Sequence, residues 1–483
     1  MSVARRGLEL AAQAMRGTIL QPGARGATFV GAAADSRAVA AEQLFFALPG
    51  ERVDGFAFAA QAAAAGAAGV VVARGRGLPA GCAEVAVIAV DDPRRALGDL
   101  ARAVRDGFAG RVVAITGSNG KTTTKELCAA ALRPLGASLR TPGNFNTDVG
   151  LPLTILSADG TEAVWVLEMA MRARGEIAYL TEIARPSIGV ITNVAAAHLE
   201  TLGSIEEVAR AKGELFAGLG AGAFAVLPAD DPLIAAQAAA VAPERRITFG
   251  ARTSGDVRVL DVVPAGAAGA VARYAVDGIP VVVRLPLGGV HNARNGAAAL
   301  AAAFAAGVSA RAAAAELETV ALPPHRSAAL PAGGRTILDD CYNANPASMG
   351  AALAGLAAAA PEGHAFAILG DMLELGPEAE SHHRALGRAA GARVAGLAAV
   401  GNFAGATIAG AREAGLTAAR AVVASSPEEA AATVAPWTSP GDWILIKASR
   451  GIRLERAVEA LRAMLVTATA TTTEPTRTLE APP

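Results

Sequence analysis

Ile115-Thr116-Gly117-Ser118-Asn119-Gly120-Lys121-Thr122-Thr123-Thr124 is the stretch on which the reading of the fold turns. The apolar, β-branched run entering it reads as a strand from Arg111 to Thr116, and the residues from Lys121 through Glu126-Leu127-Cys128 read as a helix. Between them Gly117 and Gly120 frame a tight loop. Glycines let backbone N–H groups of Ser118, Asn119 and their neighbours approach phosphate oxygens, and the N-terminus of a helix favours negative charge. Lys121 can then reach a β- or γ-phosphate, while the Thr122 hydroxyl can ligate Mg²⁺ and Thr123 extends the polar first turn. Gly117 and Gly120 are separated by only two residues, so the loop is shorter than the common G-x-x-x-x-G-K-[ST] form. A glycine turn with a solvated lysine is the bland alternative; the strand–loop–helix context favours a nucleoside triphosphate site.

Working outward, the apolar runs at 112–117, 164–169 and 188–193 each lead into a turn or a helix, the signature of a parallel sheet with crossover helices. A chain of 483 residues exceeds one ordinary domain, and roughly 150 residues per domain suggests about three. Segments at 1–108, 109–323 and 324–465 are expected, divided near Asp106-Gly107-Phe108 and at Pro323-Pro324. The last segment repeats the strand pattern at 336–339, 365–369, 397–400 and 443–446. The threonine-rich stretch 466–483 has no apolar period and reads as a disordered tail.

Composition narrows the function classes. Hydrophobic residues make up 52% of the chain, yet aromatics are only 4%, so the apolar character comes largely from alanine. The weakly polar stretch 57–73 is interrupted by Gln61, Gly66 and Gly69 and reads as a helix followed by a strand, so no membrane span is expected. The formal net charge is −1 with mixed signs, which argues against a nucleic-acid surface. Cys82, Cys128 and Cys341 are sparse and odd in number, fitting neither a disulfide framework nor a zinc site. The N-terminal stretch lacks an apolar signal core, so a cytoplasmic protein is expected, acting as a monomer.

The short GSNGKTTTK loop resembles that of the Mur ligase family, and later stretches sharpen the likeness. They are TPGNFNTDVGLP from Thr141, LEMAMR from Leu167, ITNV from Ile191 leading to His198, AKGE from Ala211, HNARN from His291, DDCYNANP from Asp339, and GDMLELG from Gly370 followed by His382-His383. Asp35-Ser36-Arg37 and LPGERVDG from Leu48 resemble the family's N-terminal domain. The resemblance implies an α/β protein of three domains. These are an N-terminal domain for a UDP-linked muramoyl peptide, a central P-loop ATPase with a mostly parallel sheet, and a C-terminal Rossmann-like domain. The implied activity is ATP- and Mg²⁺-dependent amide ligation that joins D-alanyl-D-alanine to UDP-N-acetylmuramoyl-tripeptide. Such chemistry activates a carboxylate as an acyl phosphate for attack by an amine, and the protein mainly positions and neutralises charge.

Residue by residue, the resemblance gives Glu168 and His198 metal-site roles and makes Lys212 a catalytic lysine, carbamylated in the family and so an anion near a second Mg²⁺. Asn292 and Asn295 are implied at the adenine, Arg326 at ATP phosphate on domain closure, and Asp340 on the nucleotide or Mg²⁺ side. Ser36, Arg37, Asn144, Asn146 and Thr147 are candidates for the UDP-muramoyl substrate. Asn343 and Asn345, with Lys447, Ser449 and Arg450, are candidates for the peptide side. Residue types alone leave bland readings open: a solvated Lys212, a helix-capping Asn292, a turn-capping Asp340 and a loop histidine at 198. Phe56, Thr147, Pro324-His325 and Cys341 depart from the family's usual residues near the implied site. A sister ligase, a folylpolyglutamate-type ligase and a non-catalytic ATP-binding homologue are the competing readings.

Overall fold

Val112, Val113, Ala114 and Ile115 are apolar without alternation, which suits a strand covered on both faces. In the computed structural model, all four are buried in the centre of a parallel sheet. The structure describes residues 4–24, 27–50, 53–195, 199–250 and 253–471, without the side chains of 199, 200 and 468–471. Two compact units emerge. The first comprises Met1–Val194, Ala209–Val257 and Ala298–Glu316; the second comprises Ala195–Val208, Arg258–Ala297 and Leu317–Pro483.

In the first unit, strands follow one another in the order Ser138–Arg140, Val164–Glu168, Arg111–Thr116, Ile188–Ile191, Phe224–Pro228 and Arg246–Phe249, all parallel. Register places Glu168 opposite Ile115 and Ile191 opposite Thr116. Three strands therefore end together, and the residues leaving their carboxyl ends share one edge, where open α/β sheets bind ligands. The same unit holds a five-stranded sheet, ordered Thr18–Gln21, Ala86–Val90, Gly69–Ala73, Leu44–Phe46 and Ala32–Ala33. Helix Pro93–Asp106 starts where Asp92 accepts the Arg94 N–H at 2.8 Å and buries Ala96, Leu97, Leu100 and Ala101 at helical spacing. Arg94 bonds Asp148 at 2.8 Å, and Phe108 stacks on Trp165 at 4.0 Å between ring centroids, so residues 93–108 pack on the start of the parallel sheet.

The second unit is built on a six-stranded sheet ordered Ala328–Ala332, Arg335–Asp339, Trp443–Lys447, Ala365–Gly370, Gly396–Val400 and Ala421–Ala424. Only the first strand is antiparallel to its neighbour. Helices Ala379–Gly391 and Ala404–Glu413 lie unusually close. A Cβ at Gly387 would fall 1.9 Å from the Thr407 carbonyl oxygen, and one at Gly410 would fall 2.0 Å from that of Arg384.

Residues 466–471, read as the start of a disordered tail, belong to the single helix Glu455–Thr471, while 472–483 lie outside the described residues. Ala457, Leu461 and Leu465 recur every four residues on its buried face, and that anchorage carries the weakly polar Thr-Ala run onward. Stretch 57–73 becomes helix Ala59–Ala64 and strand Gly69–Ala73, as read from the sequence. Among the described residues, no helix is long and apolar enough to cross a membrane.

Candidate active site

The phosphate loop is held by the neighbouring strand end as well as by its own glycines. Ser118 N–H donates to the Asn193 carbonyl at 2.9 Å and Asn119 N–H to Asn193 Oδ1 at 3.0 Å. In return the Thr192 hydroxyl and the Asn193 amide donate to the Asn119 carbonyl at 2.6 and 2.9 Å. Gly117 sits so close to this staple that a Cβ there would lie 1.9 Å from Thr192 Oγ1. Gly120 takes the left-handed conformation, φ 77°, at the start of helix Lys121–Ala131, where glycine carries no Cβ penalty. Lys121 Nζ bonds the Gly117 carbonyl at 2.8 Å and so lies across the loop; Thr122 and Thr123 are buried in the first turn.

Glu168 leaves the adjacent strand only 2% exposed. Its Oε1 accepts the Asn146 amide at 2.7 Å, and its backbone N–H donates to the Thr141 hydroxyl at 2.9 Å. Oε2 is buried and has no hydrogen-bond partner among the described residues. Such orphans are rare, and a carboxylate oxygen left this way needs a cation or a donor. Hard oxygen donors from Glu168 and the Thr122 hydroxyl suit Mg²⁺, so the residues present fit the ion implied by the sequence.

Lys212, on helix Ile205–Ala217, is 2% exposed, and burial together with the Lys121 cation lowers its ammonium pKa well below the ordinary value. A solvated lysine is therefore not what the helix presents: the amine is pushed toward its neutral, nucleophilic form. His198 lies outside the described residues.

Behind the loop is a layer that reading the motifs missed. Lys125, 1% exposed, donates to the Thr141 carbonyl at 2.6 Å and pairs with Glu126 at 2.9 Å, which in turn meets Arg140 at 2.8 Å. This chain ties the loop helix to the segment that carries Asn146 and orients Glu168. Only the second lysine of GKTTTK hinted at it. Of the substrate candidates in this unit, Asn146 alone reaches Glu168; Asn144 and Thr147 are exposed, Ser36 donates to Gln61 at 2.9 Å, and Arg37 pairs with Asp35 at 2.7 Å.

In the second unit Asn292 and Asn295 are buried in the first two turns of helix Val290–Ala305. Asn292 donates to the Gly288 carbonyl at 2.8 Å and accepts from Asn295 at 3.2 Å, so the two amides hold one another. Arg326 lies over the Tyr342 ring, 3.8 Å from its centroid, with Arg450 at 5.1 Å. Asp340 pairs with Lys447 at 2.5 Å and accepts the Ser327 N–H at 3.1 Å, and Lys447 also donates to the Asn343 carbonyl at 2.9 Å. Asn343 is exposed, whereas Asn345 caps helix Pro346–Ala359 in a reciprocal box with Ser348. The GDMLELG stretch is a scaffold: Asp371 accepts the N–H groups of Asn402 and Phe403 at 2.7 and 3.0 Å, and His383 accepts the Met372 N–H at 2.9 Å.

Comparison with known proteins agrees with this layout. Family models match in order: "Mur ligase family, catalytic domain" at 28–105, "Mur ligase middle domain" at 115–303, and "Mur ligase, glutamate ligase domain" at 325–450. The chain is 35% identical over 455 residues to the UDP-N-acetylmuramoyl-tripeptide–D-alanyl-D-alanine ligase of Bacillus subtilis, covering 93% of this chain and 97% of that one. MurF from Acinetobacter baumannii superposes with a TM-score of 0.86 at 30% identity, over 96% of this chain and 100% of that one. MurF from Thermotoga maritima in complex with ADP gives 0.80 at 30% identity, over 91% and 98%. Three family segments in order, and a relative matched along nearly its whole length, settle the question: the chain belongs to the Mur ligase family.

Proposed function

We propose that this chain joins D-alanyl-D-alanine to UDP-N-acetylmuramoyl-tripeptide, forming the pentapeptide precursor of peptidoglycan with release of ADP and phosphate in the cytoplasm. The whole-length match to a ligase of that name supports the substrates, and the relative solved with ADP supports the nucleotide. The observation that carries the chemistry is the buried Glu168 Oε2, without a hydrogen-bond partner among the described residues, one strand away from Gly117–Lys121. ATP bound with Mg²⁺ supplies a phosphoryl group that turns the tripeptide's terminal carboxylate into an electrophile.

The chain's own residues position and neutralise. Backbone N–H groups of the 117–123 loop and Lys121 hold phosphate; Thr122 and Glu168 hold the ion, Glu168 being aimed by Asn146. A neutral Lys212 amine can add to CO₂, forming an N–C bond and releasing one proton, which would give the carbamate anion that the family resemblance implies. In this reading His198 completes the metal site, and Asn292, Asn295, Arg326 and Asp340 serve the nucleotide. Ser36, Arg37, Asn144, Asn146 and Thr147 face the UDP-linked substrate, and Asn343 and Asn345 the dipeptide.

Measuring ADP release across UDP-peptide and amine pairs tests the proposal. Turnover should require both UDP-tripeptide and D-alanyl-D-alanine. Equal turnover with a diamino acid or glutamate as the amine would transfer the chain to a sister or folylpolyglutamate-type ligase.

A further inference from the structure

His325, Asp339 and Cys341, which flank Arg326 and Asp340 in the chain and carry no role assigned above, converge on one another. His325 Nδ1 lies 2.8 Å from Asp339 Oδ2, the Cys341 thiol donates to Asp339 Oδ1 at 3.0 Å, and Cys341 Sγ lies 3.5 Å from His325 Nδ1. One donor atom from each residue falls within 4.8 Å of the others. Asp339 and Cys341 are buried, whereas the His325 side chain is 35% exposed, so the group opens to solvent on one side.

We propose that these three side chains form a site for one zinc-class divalent transition metal, with solvent completing a tetrahedron on the His325 side. Thiolate, imidazole and carboxylate are the ligands zinc takes, and three protein ligands with one open position are a recurrent arrangement. Ligand bonds of about 2.0–2.3 Å place tetrahedral ligand atoms roughly 3.3–3.6 Å apart. The sulfur–nitrogen separation already has that value, and Asp339 offers one oxygen to each partner, Oδ2 at 2.8 Å from Nδ1 and Oδ1 at 3.0 Å from Sγ, either of which can turn to serve as the single carboxylate ligand. On binding, the Cys341 S–H bond breaks and its proton leaves to solvent. In the free chain Nδ1–H donates to Asp339 Oδ2; on binding that proton passes to solvent and Nε2 takes one up, so Nδ1 presents a lone pair to the metal. Burial and the Asp339 carboxylate both push the thiol pKa up, so the thiolate is held only with a cation beside it.

The position gives the metal a lever. His325 has φ +64° and its carbonyl accepts the Tyr342 N–H at 3.2 Å, while Ser327 N–H donates to Asp340. A metal among the three side chains fastens the residue before Arg326 to the end of strand Arg335–Asp339.

Titrating Co²⁺ into the full chain, without nucleotide, tests this. A thiolate-to-cobalt charge-transfer band should appear in the near ultraviolet, saturate at one equivalent and vanish when Zn²⁺ is added. Cys341→Ser, which keeps a hydroxyl donor toward Asp339, should abolish the band. His325→Ala, at the more exposed ligand, should weaken cobalt binding at least tenfold. X-ray absorption of the zinc-loaded chain should read one sulfur and otherwise nitrogen or oxygen neighbours. No band at millimolar cobalt, an undiminished band in Cys341→Ser, or sulfur-free zinc would overturn the site. None of these readouts involves ligase turnover, so the inference stands or falls apart from the proposed function.

Discussion

The two sheet edges that carry the sequence motifs differ in what their polar groups have left to do. Along the central sheet, Glu168 Oε2 is buried with no hydrogen-bond partner among the described residues, and Lys212 is pushed toward neutrality by burial and the Lys121 charge. Along the C-terminal sheet the charges are already spoken for: Asp340 by Lys447, Asp371 by two backbone N–H groups, His383 by Met372 and Ala379. In the proposed reading the motif residues at the first edge await a ligand, while Asp371 and His383 at the second hold up the loops around it. A conspicuous motif is therefore not by itself a statement about chemistry.

If that contrast is right, changes at the first edge should cost turnover and changes at the second should cost stability. Lys121→Ala should lower ADP release by at least about a thousandfold, because a positioned charge on transferring phosphate is among the larger catalytic terms. Its melting temperature should stay within a degree or two of wild type, which differential scanning calorimetry will check. Glu168→Gln, keeping shape and losing charge, should cost about a hundredfold and raise the Mg²⁺ concentration needed for half-activity. Wild-type turnover in that variant would break the comparison at its centre. Asp371→Ala removes the acceptor of two part-buried N–H groups and should destabilise by about 1–3 kcal/mol in chemical denaturation. Turnover per folded molecule should fall far less than in the two preceding variants.

The smallest effect concerns pH. Burial lowers the pKa of His383, and also that of His291, below the ordinary imidazole value. The unfolded chain therefore takes up these protons first, so their contribution to stability is complete above about pH 6.5 and declines as pH falls below it. Each histidine contributes a slope of at most about 1.4 kcal/mol per pH unit. Denaturation midpoints between pH 7.5 and 5.5 should fall, and His383→Gln should flatten the curve; an unchanged slope in that variant would remove His383 from the account.

Much of the first edge was legible in the sequence because its chemistry is local. Gly117 to Thr123 are consecutive, and Glu168 follows an apolar run whose register could be anticipated from a parallel sheet. What escaped was long-range. Asn193 lies 74 residues from the loop it staples, and Lys125 acts through Thr141, which no spacing rule reveals. The three cysteines argued against a metal site when counted alone, yet Cys341 gains two partners of other types once strand Arg335–Asp339 brings the linker alongside. The helix through Thr471 was hidden by composition, since alanine and threonine read as tail until leucines at helical spacing anchor them.

Gly387 and Gly410 bring two helices together with scarcely any side chain between them. Most helix pairs can slip by small rotamer changes at their interface, each a fraction of an ångström. Here, at Gly387 and Gly410, backbone meets backbone, with the Arg384 and Arg388 pairs to Glu413 beside it. A push on one helix is therefore passed to the other with little slack at these two points, making the pair a stiff strut on its side of the six-stranded sheet.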